Sequence, residues 1–156
     1  MKKSEYLDIC KKCKASCCKL GGTNLTKEEV DRVLVKGFEN NFIEIKPGIY
    51  ELKSNEDGVC PYLQEDFSCK IHDVKPLICT CWPIFPEFDK GKINHILINC
   101  PLVKKMPKED IEKCKKESLC VTMKIAEATS DESLIPPEQL KKILERYEAI
   151  EKSELE

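Results

Sequence analysis

Four cysteines lie within the first eighteen residues of the chain, where Cys10, Cys13, Cys17 and Cys18 form the pattern C-x2-C-x3-C-C. Thiolates at such short spacing are costly to hold together unless a soft metal neutralises them or oxidation pairs them. Seven more cysteines make eleven in 156 residues: Cys60, Cys69, Cys79, Cys81, Cys100, Cys114 and Cys120. The sequence therefore indicates sulfur chemistry before any other.

Two explanations compete with metal binding. The first four cysteines have the spacing of one helical face, and cysteine packs as a small hydrophobe, but a stripe made almost wholly of cysteine is a poor core. Disulfides are disfavoured because eleven is an odd number. The N-terminus also lacks the apolar run of a signal peptide, which predicts a cytoplasmic protein with reduced thiols. Metal ligation is the favoured interpretation.

The N-terminal cysteines alone are not expected to complete one tetrahedral site. A helix places Cys17 and Cys18 about 100° apart, and four ligands from one short helix would strain it. The remaining ligands are expected from the middle of the chain, where nearby prolines stiffen the loops that carry Cys60, Cys69 and Cys79. His72 stands at the CxxH distance from Cys69 and is a weaker candidate. For Cys114 and Cys120, packing is favoured over ligation.

The overall composition excludes several classes of function. Lys+Arg 26 against Asp+Glu 28 gives no field that would favour nucleic acid or a membrane as a partner. No segment approaches the length of a membrane span. The chain has no glycine-rich phosphate loop or dinucleotide fingerprint, and its two histidines assemble no convincing nucleophile–base pair. The sequence leaves open whether the protein is an enzyme.

The elements that must position the cysteines follow from periodicity and from helix-stop and turn residues. A helix is predicted over residues 4–19, ending at Gly21-Gly22, and a second helix after the capping box that begins at Thr26. Hairpins are predicted over residues 42–53 and 84–98, on either side of an irregular segment that has one helical turn at residues 74–79. A long helix is predicted from residue 107 to about 128, and a terminal helix after Pro136-Pro137.

The predicted fold is a small α+β single domain. It has an N-terminal cysteine-bearing helix, short β-hairpins, an irregular middle rich in cysteine and proline, and C-terminal helices. Residues 1–105 are expected to form the cysteine-cluster metal-binding domain. Residues 106–156 are expected to form a helical extension packed on it.

Several linked motifs resemble a known family. The N-terminal cysteine pattern is followed by DGVCPYL at residues 57–63, CKIH at 69–72 and KPLICTCWP at 75–83. In this order they resemble the CxxCxxCC, or YkgJ-like, cysteine-cluster proteins, which are described as zinc- or iron-chelating domains. The chain departs from the family by three residues rather than two before the CC pair, by His72 where tyrosine is common, and by the additional Cys81. The resemblance implies a ligand set of Cys10, Cys13, Cys17, Cys18, Cys60, Cys69, Cys79 and Cys100.

The function expected from the residues and the resemblance together is metal binding, with an iron–sulfur cluster, most simply [4Fe–4S], as the favoured cofactor. The protein would act in electron transfer or cluster-dependent redox chemistry with a protein redox or assembly partner. One alternative is a structural zinc-binding interaction module. The other is an accessory or enzyme domain, because the same cysteine domain occurs in flagellin lysine methylases.

Overall fold

A computed structural model describes residues 1–21, 23–89, 92–98 and 100–129 of the chain. Helices and short antiparallel strands alternate along it, which confirms the predicted small α+β fold. In chain order the elements are α1 (Lys3–Lys12), a first 3-10 helix (Ser16–Lys19), β1 (Asn24–Thr26), α2 (Lys27–Val35), β2 (Phe42–Lys46), β3 (Ile49–Leu52), a second 3-10 helix (His72–Val74), α3 (Leu77–Cys81), β4 (Ile84–Asp89), β5 (Lys92–Leu97) and α4 (Lys108–Thr129).

The predicted continuous helix over residues 4–19 is wrong. Helix α1 ends at Lys12, and Lys14 and Ala15 have left-handed φ angles of 56° and 48°. The chain closes on itself there, because the Ala15 N–H donates to the Cys10 carbonyl over 2.8 Å and Ala15 is only 3% exposed. Lysine and alanine favour helix, but burial of Ala15 overrides this propensity. The four N-terminal cysteines therefore do not form one helical stripe.

The first hairpin is present as predicted, and a short strand adds to it. Strands β2 and β3 pair antiparallel around a turn that contains Gly48 at φ 76°. Strand β1, which was not predicted, pairs with the other edge of β3, so the sheet order is β1-β3-β2. Only three residues long, β1 has too little alternation to be recognised from the sequence. Its Leu25 is fully buried in a core with Val30, Val33, Leu52, Tyr62 and Ile71.

Helix α2 begins at the predicted capping box. The Thr26 N–H donates to Glu29 Oε2 over 2.8 Å, and the Thr26 hydroxyl donates to the same oxygen over 3.1 Å. The other oxygen of Glu29 accepts the N–H of Leu77 over 2.7 Å, at the start of α3. Glu29 is 5% exposed, so one buried carboxylate joins the N-termini of α2 and α3.

The C-terminal part of the described chain also follows the prediction. Strands β4 and β5 pair as a two-stranded antiparallel sheet, which keeps Pro86 on an edge strand. Helix α4 lies against α3 and β4, where Cys81, Ile84 and Cys114 share a buried cluster. None of the described helices combines the length and apolar character required to cross a membrane. The terminal helix predicted after Pro136-Pro137 lies outside the described residues, and the domain boundary at 105/106 stays a prediction.

Candidate metal centre

The candidate ligands come from the N-terminal helices, from the middle segment with α3, and from the chain that follows β5. Cys10 lies on α1, Cys13 follows it, Cys17 and Cys18 lie on the first 3-10 helix, and Cys79 lies on α3. Cys60 and Cys69 lie on the connecting segment, and Cys100 follows β5. The ten cysteines whose side chains the structure describes are all free thiols, and the candidate ligands are half-buried except Cys100, which is 3% exposed.

Backbone hydrogen bonds bring the middle cysteines to the first 3-10 helix. The Cys60 N–H donates to the Cys18 carbonyl over 2.7 Å, which fixes the start of the middle segment beside the CC pair. An isolated antiparallel bridge between Leu63 and Cys69 then folds the segment back. Apolar packing supports the same arrangement, since Cys60 and Cys69 contact the core that contains Tyr62 and Ile71.

Four thiols form a fully connected set. Cys18, Cys60, Cys69 and Cys79 interact electrostatically in every one of their pairwise combinations. We call this set the Cys18 quartet. Its members belong to four separate stretches of chain, so only the tertiary fold brings them together. Four sulfur donors and no oxygen donor make a set typical of zinc or iron–sulfur centres.

The other four candidate ligands centre on Cys10. Its thiol interacts electrostatically with those of Cys13, Cys17 and Cys100, and we call these four the Cys10 group. Cys10, Cys17 and Cys100 pack with a second core of Trp82, Ile98 and Leu102. The two sets are neighbours, because Cys17 also interacts with Cys18 and Cys79, and Cys10 interacts with Cys18. Packing with Cys10 and Cys100 assigns Cys17 to the Cys10 group, although its thiol is hydrogen-bonded to Cys18 of the quartet.

The candidate thiols differ in how readily they ionise. Burial is the main cause that raises the pKa of Cys10, Cys60 and Cys79, in each case to about 12. Cys18 behaves in the opposite way, since a hydrogen bond from the Cys17 thiol, followed by the charges of Lys75 and Lys19, lowers its pKa. The same hydrogen bond is the main cause that raises the pKa of Cys17. Cys18 is therefore the thiol of its quartet most ready to ionise.

These pKa values predict how the metal-free protein responds to alkali. A thiol whose folded pKa is about 12, against an ordinary value of 9, holds its proton in the folded state when the unfolded chain has lost it. Its contribution to stability is complete below pH 9 and is lost as the pH rises toward 12. The free energy of unfolding of reduced, metal-free protein, measured in urea, should fall over this range. A flat profile above pH 9 would contradict the burial of these thiols.

The candidate sulfur atoms lie in one region of the fold, but they do not form a metal-binding arrangement. The Cys13 thiol, for example, donates to the carbonyl of Cys10 over 3.2 Å. Within the ranges that the structure describes, no group of three or more Cys, His, Asp or Glu side chains could hold a metal ion as it stands. Metal binding to such thiols requires loss of their protons and rotation of their side chains. The donor types fit a soft metal.

Lys75 and Tyr6 lie beside the candidate thiols but were not predicted as site residues. The Lys75 ammonium lies 4.0 Å from the centre of the Tyr6 ring, and its positive charge acts on Cys10, Cys18 and Cys79. Burial, followed by the neighbouring thiols, raises the pKa of the Tyr6 hydroxyl well above its usual range. The KP dipeptide that precedes the third cysteine motif was a signal that could have pointed to Lys75.

His72 lies beside this pair. Its ring is 5.2 Å from that of Tyr6 in an edge-to-face contact. Burial, followed by Lys75 and Lys3, lowers its pKa to about 4, and Asp73 is its other charged neighbour. The charged groups that act on the pKa of His72 are thus lysines and a carboxylate. His72 supports Tyr6 at the edge of the site.

Cys81 and Cys114 form a separate pair. Their thiols hydrogen-bond to each other, with Cys81 fully buried and Cys114 8% exposed. The packing predicted for Cys114 is therefore present, although its partner is another cysteine. The side chain of Cys120 lies outside the described residues.

Comparison with known proteins supports the chemistry that the geometry indicates. A family model named CxxCxxCC and described as "Putative zinc- or iron-chelating domain" matches residues 9–101, which contain all the candidate ligands. No curated protein and no solved structure matches the chain. The match covers more than half of the 156 residues and begins and ends next to the outermost candidate ligands, Cys10 and Cys100. The chain therefore belongs to the CxxCxxCC family of zinc- or iron-chelating domains.

Proposed function

We propose that the Cys18 quartet holds an iron–sulfur cluster of the [4Fe–4S] kind, through which the protein exchanges electrons with a protein partner. The observation that carries the proposal is the electrostatic interaction between every pair of thiols in the quartet. Four thiolates are the usual ligands of such a cluster. A cytoplasmic location, where thiols stay reduced, belongs to the same proposal.

The surroundings of the quartet suit electron exchange. On one side, Cys60 and Cys69 pack against an apolar core that contains Ile71, which is 2% exposed. The quartet cysteines are only half-buried, so a partner can approach the centre. A cluster at such a boundary is kept from bulk water while it stays close to the surface, and both conditions govern its potential.

The Cys10 group is the second site in this proposal. Cys10, Cys13, Cys17 and Cys100 provide four further thiols beside the quartet, and Cys10 is the member that interacts with the other three. A closed tetrathiolate site for zinc or iron requires no donor beyond these four. The protein would then hold two adjacent centres, one in each set.

Lys75 should raise the potential of a cluster in the quartet. Its charge acts on Cys18, Cys69 and Cys79, and it favours the more negative, reduced cluster. At an effective dielectric constant of about 20, a unit charge within roughly 10 Å contributes on the order of 1–2 kcal/mol. Lys75→Met should therefore lower the midpoint potential by about 50–100 mV, measured by redox titration.

The Lys75→Arg variant is the matched control, because it keeps the charge and can still stack on Tyr6. It should retain most of the potential of the original protein. Equal potentials in Lys75→Met and the original protein would show that Lys75 does not tune the cluster.

A structural zinc site is the second candidate, and one observation favours it. The quartet joins four stretches of chain, two of which, around Cys60 and Cys69, have no regular helix or strand to hold them. A closed tetrathiolate zinc ion commonly stabilises such irregular segments. In this case the metal would contribute to folding and the domain would serve to bind a partner.

Metal analysis after anaerobic purification distinguishes the two candidates. Iron, zinc and acid-labile sulfide should be quantified on one sample, with visible absorption recorded before and after dithionite. We expect brown protein with iron and sulfide in equal amounts and absorption that bleaches on reduction. Colourless protein with stoichiometric zinc and no sulfide would show that the site is a structural zinc site and not an iron–sulfur cluster.

A further inference from the structure

Cys81 and Cys114 stand apart from the metal centre in both packing and sequence. Cys81 ends α3, two residues after the quartet member Cys79, and Cys114 lies on the second turn of α4. The family match ends at residue 101, so Cys114 lies outside it. Thirty-three positions separate the two cysteines in the sequence (114 − 81), and yet their thiols share a hydrogen bond.

The environment of this pair favours a bond between the two sulfurs over any other partner. Cys81, Ile84 and Cys114 form one buried cluster, which Leu77, Met106 and Ile111 surround with apolar side chains. Cys81 has no exposed surface, so Cys114 at 8% exposure is the thiol that a reagent meets first. Both thiols lie in this one buried cluster between α3 and α4, which is the arrangement that a disulfide between the two helices requires.

We propose that Cys81 and Cys114 form a reversible disulfide that fastens α4 to α3 when the protein meets a disulfide oxidant. The oxidant is a small-molecule disulfide of the glutathione class. The Cys114 thiolate attacks it, forms a mixed disulfide and releases one thiol. The Cys81 thiolate then attacks the Cys114 sulfur and releases the second thiol. Two protein thiols are oxidised, one external disulfide is reduced, and the two protons go to the released thiols.

The location of the bond links it to the metal centre. Helix α3 has five residues and carries both Cys79 and Cys81, so the disulfide would restrain the same short helix that supplies a quartet thiol. The oxidised pair would also close a long loop that contains β4 and β5, which restricts the unfolded chain. Oxidised protein should therefore retain its metal longer against a chelator than reduced protein.

Peptide mapping tests the bond directly on metal-loaded protein. The protein is treated with oxidised glutathione, its free thiols are alkylated, and it is digested with trypsin without reduction. Cys81 falls in the peptide 71–90 and Cys114 in the dipeptide 114–115, and we expect these two peptides to be linked. Because Cys79 shares the first peptide, the linked peptides are fragmented by tandem mass spectrometry, which should place the bond at Cys81 and find Cys79 alkylated.

Two serine variants on α4 test which cysteine of this helix forms the bond. Cys114→Ser should abolish the link, while Cys120→Ser on the same helix should leave it intact, since Cys120 falls in the separate peptide 117–124. The proposal is overturned if the original protein yields both peptides fully alkylated after oxidation. It is equally overturned if Cys114 is found linked to Cys120 or to a quartet cysteine.

Discussion

Replacing Cys18 by alanine should remove the metal of the quartet, whereas replacing the adjacent Cys17 should leave it in place. Cys18 interacts with each of the other three quartet thiols, and it is the one whose pKa is lowered. Removing one thiolate from a tetrathiolate site opens the coordination shell to water. We expect Cys18→Ala to lose most of its visible absorption and to hold about tenfold less metal in the quartet, while metal in the Cys10 group remains.

Cys17→Ala is the matched control, because the two residues are adjacent on one 3-10 helix and are assigned to different sets. It should keep the quartet metal and lose only metal bound by the Cys10 group. If both variants keep full metal content, neither thiol is a ligand. If both lose the same metal to the same extent, the division into two sets is wrong. Anaerobic metal analysis and absorption spectra of the three proteins supply the comparison.

Replacing Glu29 by alanine should destabilise the protein and loosen the metal centre together. Its buried carboxylate accepts the N–H and hydroxyl of Thr26 and the N–H of Leu77, so its loss leaves these part-buried donors without their acceptor. Hydrogen bonds to a charged group contribute about 1.5–3 kcal/mol each in favourable cases. Because part of the loss is recovered by hydration, we expect a decrease of about 3 kcal/mol in the free energy of unfolding.

Glu28→Ala provides the control for this prediction. Glu28 occupies the same first turn of α2 but is exposed. It should change the free energy of unfolding by about 0.5 kcal/mol or less. Denaturant unfolding measures the stability, and the rate of metal loss to a chelator measures the centre, because Leu77 begins the helix that carries Cys79. A Glu29→Ala variant as stable as Glu28→Ala would show that this carboxylate does not join the two helices.

The fold was predictable where local signals are strong. The capping box at Thr26, the hairpin of β2 and β3, the hairpin of β4 and β5, and the long helix α4 each follow from turn chemistry or periodicity within a few residues. The prediction failed at Lys14 and Ala15, whose types favour helix but whose backbone is left-handed. Burial of Ala15 decides that turn, and burial depends on parts of the chain that no local pattern contains.

The sequence by itself determined the chemistry of this protein, because the number, spacing and motif context of its cysteines are local properties of the chain. The match to a zinc- or iron-chelating family agrees with that conclusion. Only the tertiary structure decided which thiols meet. It places Cys18 within electrostatic reach of Cys60, Cys69 and Cys79, and pairs Cys81 with Cys114. Contacts between residues distant in the chain depend on how separate elements share a core, and spacing along the sequence carries no record of that packing.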